Sequence, residues 1–202
     1  MRTTLFSLFA ASFLMLAPVA NAAPLSDEDL ENVARVEAYL NGITTLKARF
    51  LQINAEGQYA RGDVLIKRPG RARFEYDPPA QILVVADGLW LVFHDKELEE
   101  TNRIPLYSTP ISVILREKVE LNGEVTVTSV EQDGGILRVN IIDTDEPDEG
   151  GLTLVFTQRP FELRKWLVTD PQGSTTSVAI SDVEQGMTFK PELFVLNDPG
   201  YD

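Results

Sequence analysis

Between residues 26 and 43 apolar side chains recur every three or four positions, at Leu30, Val33, Val36, Leu40 and Ile43. That spacing lays a single apolar stripe along a helix. Ser26 stands where an N-cap belongs, and Asp27, Glu28 and Asp29 fill the first turn, where acids suit the positive end of the helix dipole. Asn41-Gly42 supplies the stop. From Gln58 onward the period falls to two. Ala60, Gly62, Val64 and Ile66 share one face against Arg61, Asp63 and Lys67, and Ala72, Phe74 and Tyr76 alternate with Arg71, Arg73 and Glu75. Residues 82–85 and 89–93 flank Asp87-Gly88, a strong hairpin signal. Further strands are predicted at 125–130, 136–142, 152–157, 161–169 and 174–181, with turns at Asp133-Gly134-Gly135, Asp170-Pro171-Gln172-Gly173 and Gln185-Gly186. Connections this short force antiparallel pairing.

One interruption falls mid-chain. Thr109-Pro110 reads as a cap and first-turn pair, and Ile111, Ile114 and Leu115 then share a helical face, which predicts a helix of about two turns. A sheet of about ten strands tends to curl or close. Its inner face is then filled by side chains, covered by helices, or left as a cavity. Two short amphipathic helices are the available covers, and periodicity alone leaves a solid core and an apolar container both open.

The first 22 residues change the setting. Arg2 provides a short positive region, Leu5 to Leu16 form an apolar run broken only by Ser7 and Ser12, and Ala20-Asn21-Ala22 gives the small-x-small pattern of a cleavage site. The run is shorter than the ~20 residues a spanning helix needs. Residues 1–22 therefore read as a secretory signal peptide and 23–202 as a single domain. The expected location is the periplasm of a bacterium. The chain carries a formal charge of −13, and because Arg2 is the only charge in the leader the remainder carries −14. Binding to nucleic acid or to anionic membranes needs clustered Lys and Arg, so both are disfavoured. Absent cysteines remove disulfides and thiolate metal sites, and the single His94 precludes a multi-histidine centre.

Catalytic chemistry is poorly supplied. His94 precedes Asp95, but no G-x-S-x-G elbow accompanies it. The acidic run Asp143, Asp145, Glu146, Asp148 and Glu149 before Gly150-Gly151 does not have the spacing of an EF-hand loop and reads as a solvated connection. We expect no catalytic residue, no metal site and no cofactor.

The segment from Gly62 to Pro79, G-D-V-L-I-K-R-P-G-R-A-R-F-E-Y-D-P-P, resembles the signature of the LolA family, periplasmic carriers of outer-membrane lipoproteins. Phe50-Leu51-Gln52 is similar to the family's strand after the first helix, Ala86-Asp87-Gly88-Leu89-Trp90 to its hairpin, and Thr109-Pro110 to its mid-chain helix start. Asp170-Pro171-Gln172-Gly173-Ser174-Thr175 resembles a late hairpin and Phe194 a terminal aromatic strand. Arg71 departs from the pattern, standing where the family is apolar, and with Arg73 it makes the stretch locally basic.

The resemblance implies a mainly β fold, an incomplete and strongly curved antiparallel β-barrel covered by short helices, with an apolar cavity for acyl chains. It implies a non-enzymatic, monomeric chaperone. The implied partners are acylated lipoprotein cargo, an inner-membrane ABC-type transporter that releases it, and an outer-membrane acceptor lipoprotein. A periplasmic lipid-binding or lipoprotein-sensing module of the same fold is the alternative. The arginine of the family's K-R-P motif ties the lid shut and falls on Arg68. With Arg68 at the lid, alternation assigns Val64, Ile66, Ala72, Phe74 and Tyr76 to the cavity wall, together with Trp90 and Val92. Leu30, Val33, Val36, Ile111, Ile114 and Leu115 are its expected helical lining.

Overall fold

The computed structural model describes residues 24–196, so the leader lies outside the described residues. Helix α1 (Asp27–Gly42) begins at Ser26, whose side chain accepts a hydrogen bond from the Asp29 amide while the Asp29 carboxylate accepts from the Ser26 amide, a reciprocal capping box. Eleven strands follow: β1 (Thr45–Ile53), β2 (Tyr59–Lys67), β3 (Arg71–Tyr76), β4 (Ile82–Asp87), β5 (Trp90–Asp95), β6 (Glu100–Pro105), β7 (Val125–Asp133), β8 (Ile136–Asp143), β9 (Gly151–Gln158), β10 (Phe161–Thr169) and β11 (Thr175–Gln185). All pair antiparallel in one sheet of order β6-β5-β4-β3-β2-β1-β11-β10-β9-β8-β7. Edge strands β6 and β7 do not pair, so the barrel is open along one seam.

The curl is steep. Four strand steps separate β3 from β10, about 19 Å along a flat sheet, yet the rings of Phe74 and Trp166 lie 6.4 Å apart, centre to centre. Register shifts between Lys47 and Arg49, Val127 and Ser129, and Leu163 and Lys165 add the local bending that bulges produce. Gly62 permits the tight inner corner. It faces inward beneath the Phe50 ring, and a Cβ there would lie 2.1 Å from the Glu75 carbonyl oxygen and 2.7 Å from Phe50 Cε1. Phe50, Phe74, Tyr76 and Trp166 pack edge to face inside that corner.

Four local expectations change. Strand β1 contains Phe50-Leu51-Gln52, where the resemblance implied a strand, but β6 was not anticipated from the pattern. The mid-chain helix is shorter than two turns: a 3-10 turn, Leu106–Ser108, precedes a single α-helical turn, α2 (Ser112–Leu115). Thr109 does not cap it. Its hydroxyl donates back to the Leu106 carbonyl at 2.6 Å, closing the earlier turn. The expected terminal strand at Phe194 is another 3-10 turn, Pro191–Phe194.

That C-terminal segment crosses the convex face. Lys67 Nζ donates to the Phe189 carbonyl (3.2 Å) and Arg73 Nη1 to that of Leu193 (3.3 Å). Phe194, only 1% exposed, meets Phe189 with ring centres 6.0 Å apart where its turn crosses β3 and β4, and the outward Leu83 and Val85 of β4 are buried apart from the main core, so a small second core sits outside the barrel.

Candidate functional site

Arg68 stands at the end of the concave face where the barrel meets the helical segments. Arg68 follows β2 directly. Its Nε donates to the Arg116 carbonyl (2.7 Å), Nη1 to the carbonyls of Leu40 and Ile43 (3.1 Å for the latter), and Nη2 to Asn41 Oδ1 (3.3 Å) and the Glu117 carbonyl (3.1 Å). One guanidinium thus joins the C-terminal end of α1, where carbonyls lack helical partners, to the chain leaving α2. Burial lowers its proton affinity, but arginine remains charged, so these are charge-assisted bonds. Gly70, held at φ +71 close against Gly88, donates its amide to the Leu115 carbonyl at 2.7 Å and adds a backbone tie at the same end.

Beneath this lid the two halves of the concave face differ. On β8, β9 and β10 the inward side chains Leu137, Val139, Ile141, Leu152, Leu154, Phe156 and Trp166 are fully buried. Val36 and Leu40 of α1 belong to the same core, and Tyr39 meets Phe156 and Phe161 edge-on. On the other half, register places Phe74, Val84 and Phe93 in one inward row and Ala72, Ala86, Leu91 and Ile104 in the next. Phe74, Tyr76 and Leu91 are only half-buried, Phe93 is 40% exposed and Ile104 50%. An apolar stripe therefore reaches from the core to the unpaired edge at β6. Tyr76 lies deep in this face. Desolvation pushes its phenol up to about 12, opposed by the bond it donates to Gln52 Oε1 at 2.6 Å.

The structure brings Val64, Ile66, Ala72, Phe74 and Tyr76 to this concave face, with Val36, Ile111, Ile114 and Leu115 from the helices above it. Val33 is half-buried beside them. Leu30 is corrected: it is 53% exposed and lines an open groove with Leu25 and Val33 against Val125 and Val127 of β7. Trp90 and Val92 are corrected too. Register pairs Val92 with Val85 and sets Leu91, not Trp90, opposite inward Ala86, so both belong to the convex face near Val195 and Leu196. Phe93, Leu91, Val84 and Ile104 were missed; β5 is apolar on both faces, so its sequence alone does not say which set points in.

Other candidates are accounted for locally. His94 lies on the convex face, its Nδ1 hydrogen-bonded to Thr101 Oγ1 at 2.9 Å. Asp143 Oδ1 accepts from the amides of Asp145 and Glu146, closing the acidic loop as a turn. Arg73 pairs with Glu75 at 2.8 Å and lowers the proton affinity of that carboxylate, while Arg71 shares the convex face with Lys67. Among the described residues no three His, Asp or Glu are grouped to hold a metal ion, and no helix is long and apolar enough to cross a membrane.

An open, strongly curved antiparallel barrel with an apolar concave face covered by short helical segments defines the fold class of this chain. Within that class the chain belongs to the LolA family: residues 41–197 match the family described as outer membrane lipoprotein carrier protein LolA. It is 24% identical over 208 residues to an outer-membrane lipoprotein carrier protein of Nitrosomonas europaea, covering 98% of this chain and 96% of that one. A Pseudomonas aeruginosa protein of the same description is 26% identical over 202 residues, covering 96% and 94%. Among solved structures, a LolA superfamily protein from Nitrosomonas europaea aligns over 82% of this chain and 98% of its own, with 10% identity and a TM-score of 0.44. The Mycobacterium tuberculosis lipoprotein LppX aligns over 81% and 99%, at 12% identity and a TM-score of 0.40.

Proposed function

We propose that this chain is a non-enzymatic, monomeric carrier that shields the acyl chains of lipoproteins. In this reading it works in the periplasm, collecting cargo from an inner-membrane ABC-type transporter and delivering it to an outer-membrane acceptor lipoprotein. The observation that carries the reading is the half-open apolar stripe of Phe74, Leu91, Phe93 and Ile104 beside a helical lid that Arg68 ties at one end. The secretory leader read in residues 1–22 supports the location, and the carrier names of the relatives support the cargo class.

The energetics fit such a task. Hiding a methylene from water is worth about 0.8 kcal/mol, so a chain of fifteen methylenes resists aqueous exposure by about 12 kcal/mol. A carrier must meet that demand and still let go. Residues 112–121 of the lid bury Val113, Ile114, Leu115, Val119 and Leu121. At ~2 kcal/mol each these contacts amount to about 10 kcal/mol, close to the value of one acyl chain. Cargo that displaces the lid therefore trades one set of apolar contacts for another, and net affinity stays low enough for release.

The test is incubation of the purified protein with spheroplasts carrying labelled lipoproteins. Release of a lipoprotein into the soluble fraction as a 1:1 complex is expected. Uptake of free phospholipid alone would replace this reading with the lipid-binding or sensing one.

A further inference from the structure

Strand β7 ends the sheet and pairs only with β8. A free strand edge invites another strand, and proteins usually guard it with charged side chains, Pro or a bulge. Edge strand β6 is guarded in this way, by Arg103 and Pro105. The sequence of β7, V-T-V-T-S-V-E-Q-D, holds no Lys, Arg or Pro, and five of its first six residues are β-branched, the composition that suits strand pairing. Its one irregularity, the register shift between Val127 and Ser129, leaves Val125, Thr126 and Val127 as a regular edge.

A groove runs along that edge. Leu30, Val33, Ala34 and Glu37 of α1 line one side, and Val125, Thr126 and Val127 the other. The helix positions are spaced i, i+3, i+4 and i+7, so they share one face of α1. The strand positions are consecutive, and consecutive strand side chains point to opposite faces. A groove that touches all three therefore follows the edge of the strand rather than either face. From Leu30 to Glu37 the helix rises about 10 Å, the length of three extended residues. The protein's own bonds fix the groove at one end. Glu37 Oε1 accepts from the Leu121 amide at 2.6 Å. One turn on, Asn41 Nδ2 donates to the Val119 carbonyl and Asn41 Oδ1 accepts from the Val119 amide, both at 2.8 Å, so the chain entering β7 is held against α1.

Charge selects the occupant. Glu37 lines the groove, Asp27, Glu28 and Glu31 stand on the first turns of α1, Glu124 precedes β7, and Glu131 and Asp133 end it. The cations nearby are engaged: Arg116 lies 3.1 Å from Glu124, Lys118 lies 2.5 Å from Glu120, and Arg35 turns to the Gln158 carbonyl and the Phe161 ring. A second copy of this chain would set the same acids against these, with a formal charge of −13 on each molecule, and is disfavoured. We propose that α1 and the β7 edge form a docking groove for an extended segment of a partner protein in which apolar and basic residues alternate. The segment adds as a strand to β7, with its apolar side chains toward Leu30 and Val33 and its basic ones among the surrounding acids. The groove lies at the opposite end of the strand order from Phe93 and Ile104, so its occupant is independent of what the concave face carries.

The experiment is fluorescence anisotropy on the full chain with three labelled eight-residue peptides: lysine and valine alternating, glutamate and valine alternating, and a block of lysines followed by a block of valines. The alternating lysine–valine peptide should bind about tenfold more tightly than either other peptide, and more weakly as salt rises. Hydrogen–deuterium exchange by mass spectrometry should then slow across residues 125–133 and stay unchanged across 100–105, because the added strand takes up the free edge groups of β7. Leu30→Arg, at a position already 53% exposed, should lower the peptide affinity about tenfold while the melting temperature and the binding of a fluorescent palmitoyl chain stay as they were. Equal binding of the three peptides, protection outside 125–133, or unchanged affinity in Leu30→Arg would overturn the proposal. So would protection of 125–133 that grows with protein concentration alone and comes with a dimer mass, which gives the edge to a second copy. Protection present without peptide and lost when residues 1–22 are removed would give it to the chain's own leader and would overturn the proposal equally.

Discussion

Replacing Arg68 with Leu removes all five donors at the junction of α1 and the chain after α2 while keeping an aliphatic stem. A charge-assisted hydrogen bond contributes about 1.5–3 kcal/mol, but a half-exposed guanidinium yields less, because water takes over part of each bond when the lid opens. A net loss of about 3 kcal/mol in lid closure is a reasonable central value for the set. At 1.4 kcal/mol per factor of ten, the open fraction then rises about 100-fold. Apparent affinity for an acyl chain scales with the fraction of molecules competent to bind, so it should rise by a comparable factor until the open state dominates. The same change slows release, since the lid no longer competes for the site. The assay is titration with a fluorescent palmitoyl chain, followed by stopped-flow release to acceptor vesicles. Arg68→Lys, which keeps the charge but lacks the planar fork, should fall between. Unchanged affinity and release in Arg68→Leu would refute the reasoning, because the bonds would then be present without governing access.

Three further outcomes follow from the same structure. Phe93→Asp or Ile104→Asp places a charge on the half-open inner stripe; acyl-probe binding should fall at least tenfold while the melting temperature moves by only a few degrees, since both side chains are already substantially exposed. Gly62→Ala should destabilise the protein by about 3 kcal/mol or more in urea denaturation, because its Cβ meets a backbone carbonyl that cannot step aside. Phe194→Ala should cost about 3–5 kcal/mol of stability yet leave probe affinity per folded molecule unchanged, the convex-face core being separate from the concave site.

The sequence made the sheet legible wherever one face is buried and the other wet. Val64 and Ile66 against Asp63 and Lys67 show this, and so does the stripe of α1. Legibility failed where that contrast disappears. Strand β6 lies at an open edge and holds a single exposed isoleucine, so nothing in Glu100–Pro105 alternates. Strand β5 is apolar on both faces because its outer side, at Trp90 and Val92, adjoins the C-terminal segment; without that cover in view, Trp90 and Val92 were assigned inward. The segment itself has no period to betray where it docks. Arg68 stood out only through its family motif, and its partners could not be named, because they are backbone carbonyls with no side-chain signature. Glu37 and Asn41 were hidden for the same reason: on the helix they read as ordinary polar positions, and only the register of 119 and 121 against them gives them a task.

The most direct test of the central claim is native mass spectrometry of the protein purified from the periplasm of its own cells. A mass increment matching an acylated lipoprotein, bound one to one and lost on delipidation, is the predicted result. A chain that stays empty there, and still refuses a lipoprotein after incubation with spheroplasts, would mean that the concave face is simply a core and that the carrier account is wrong.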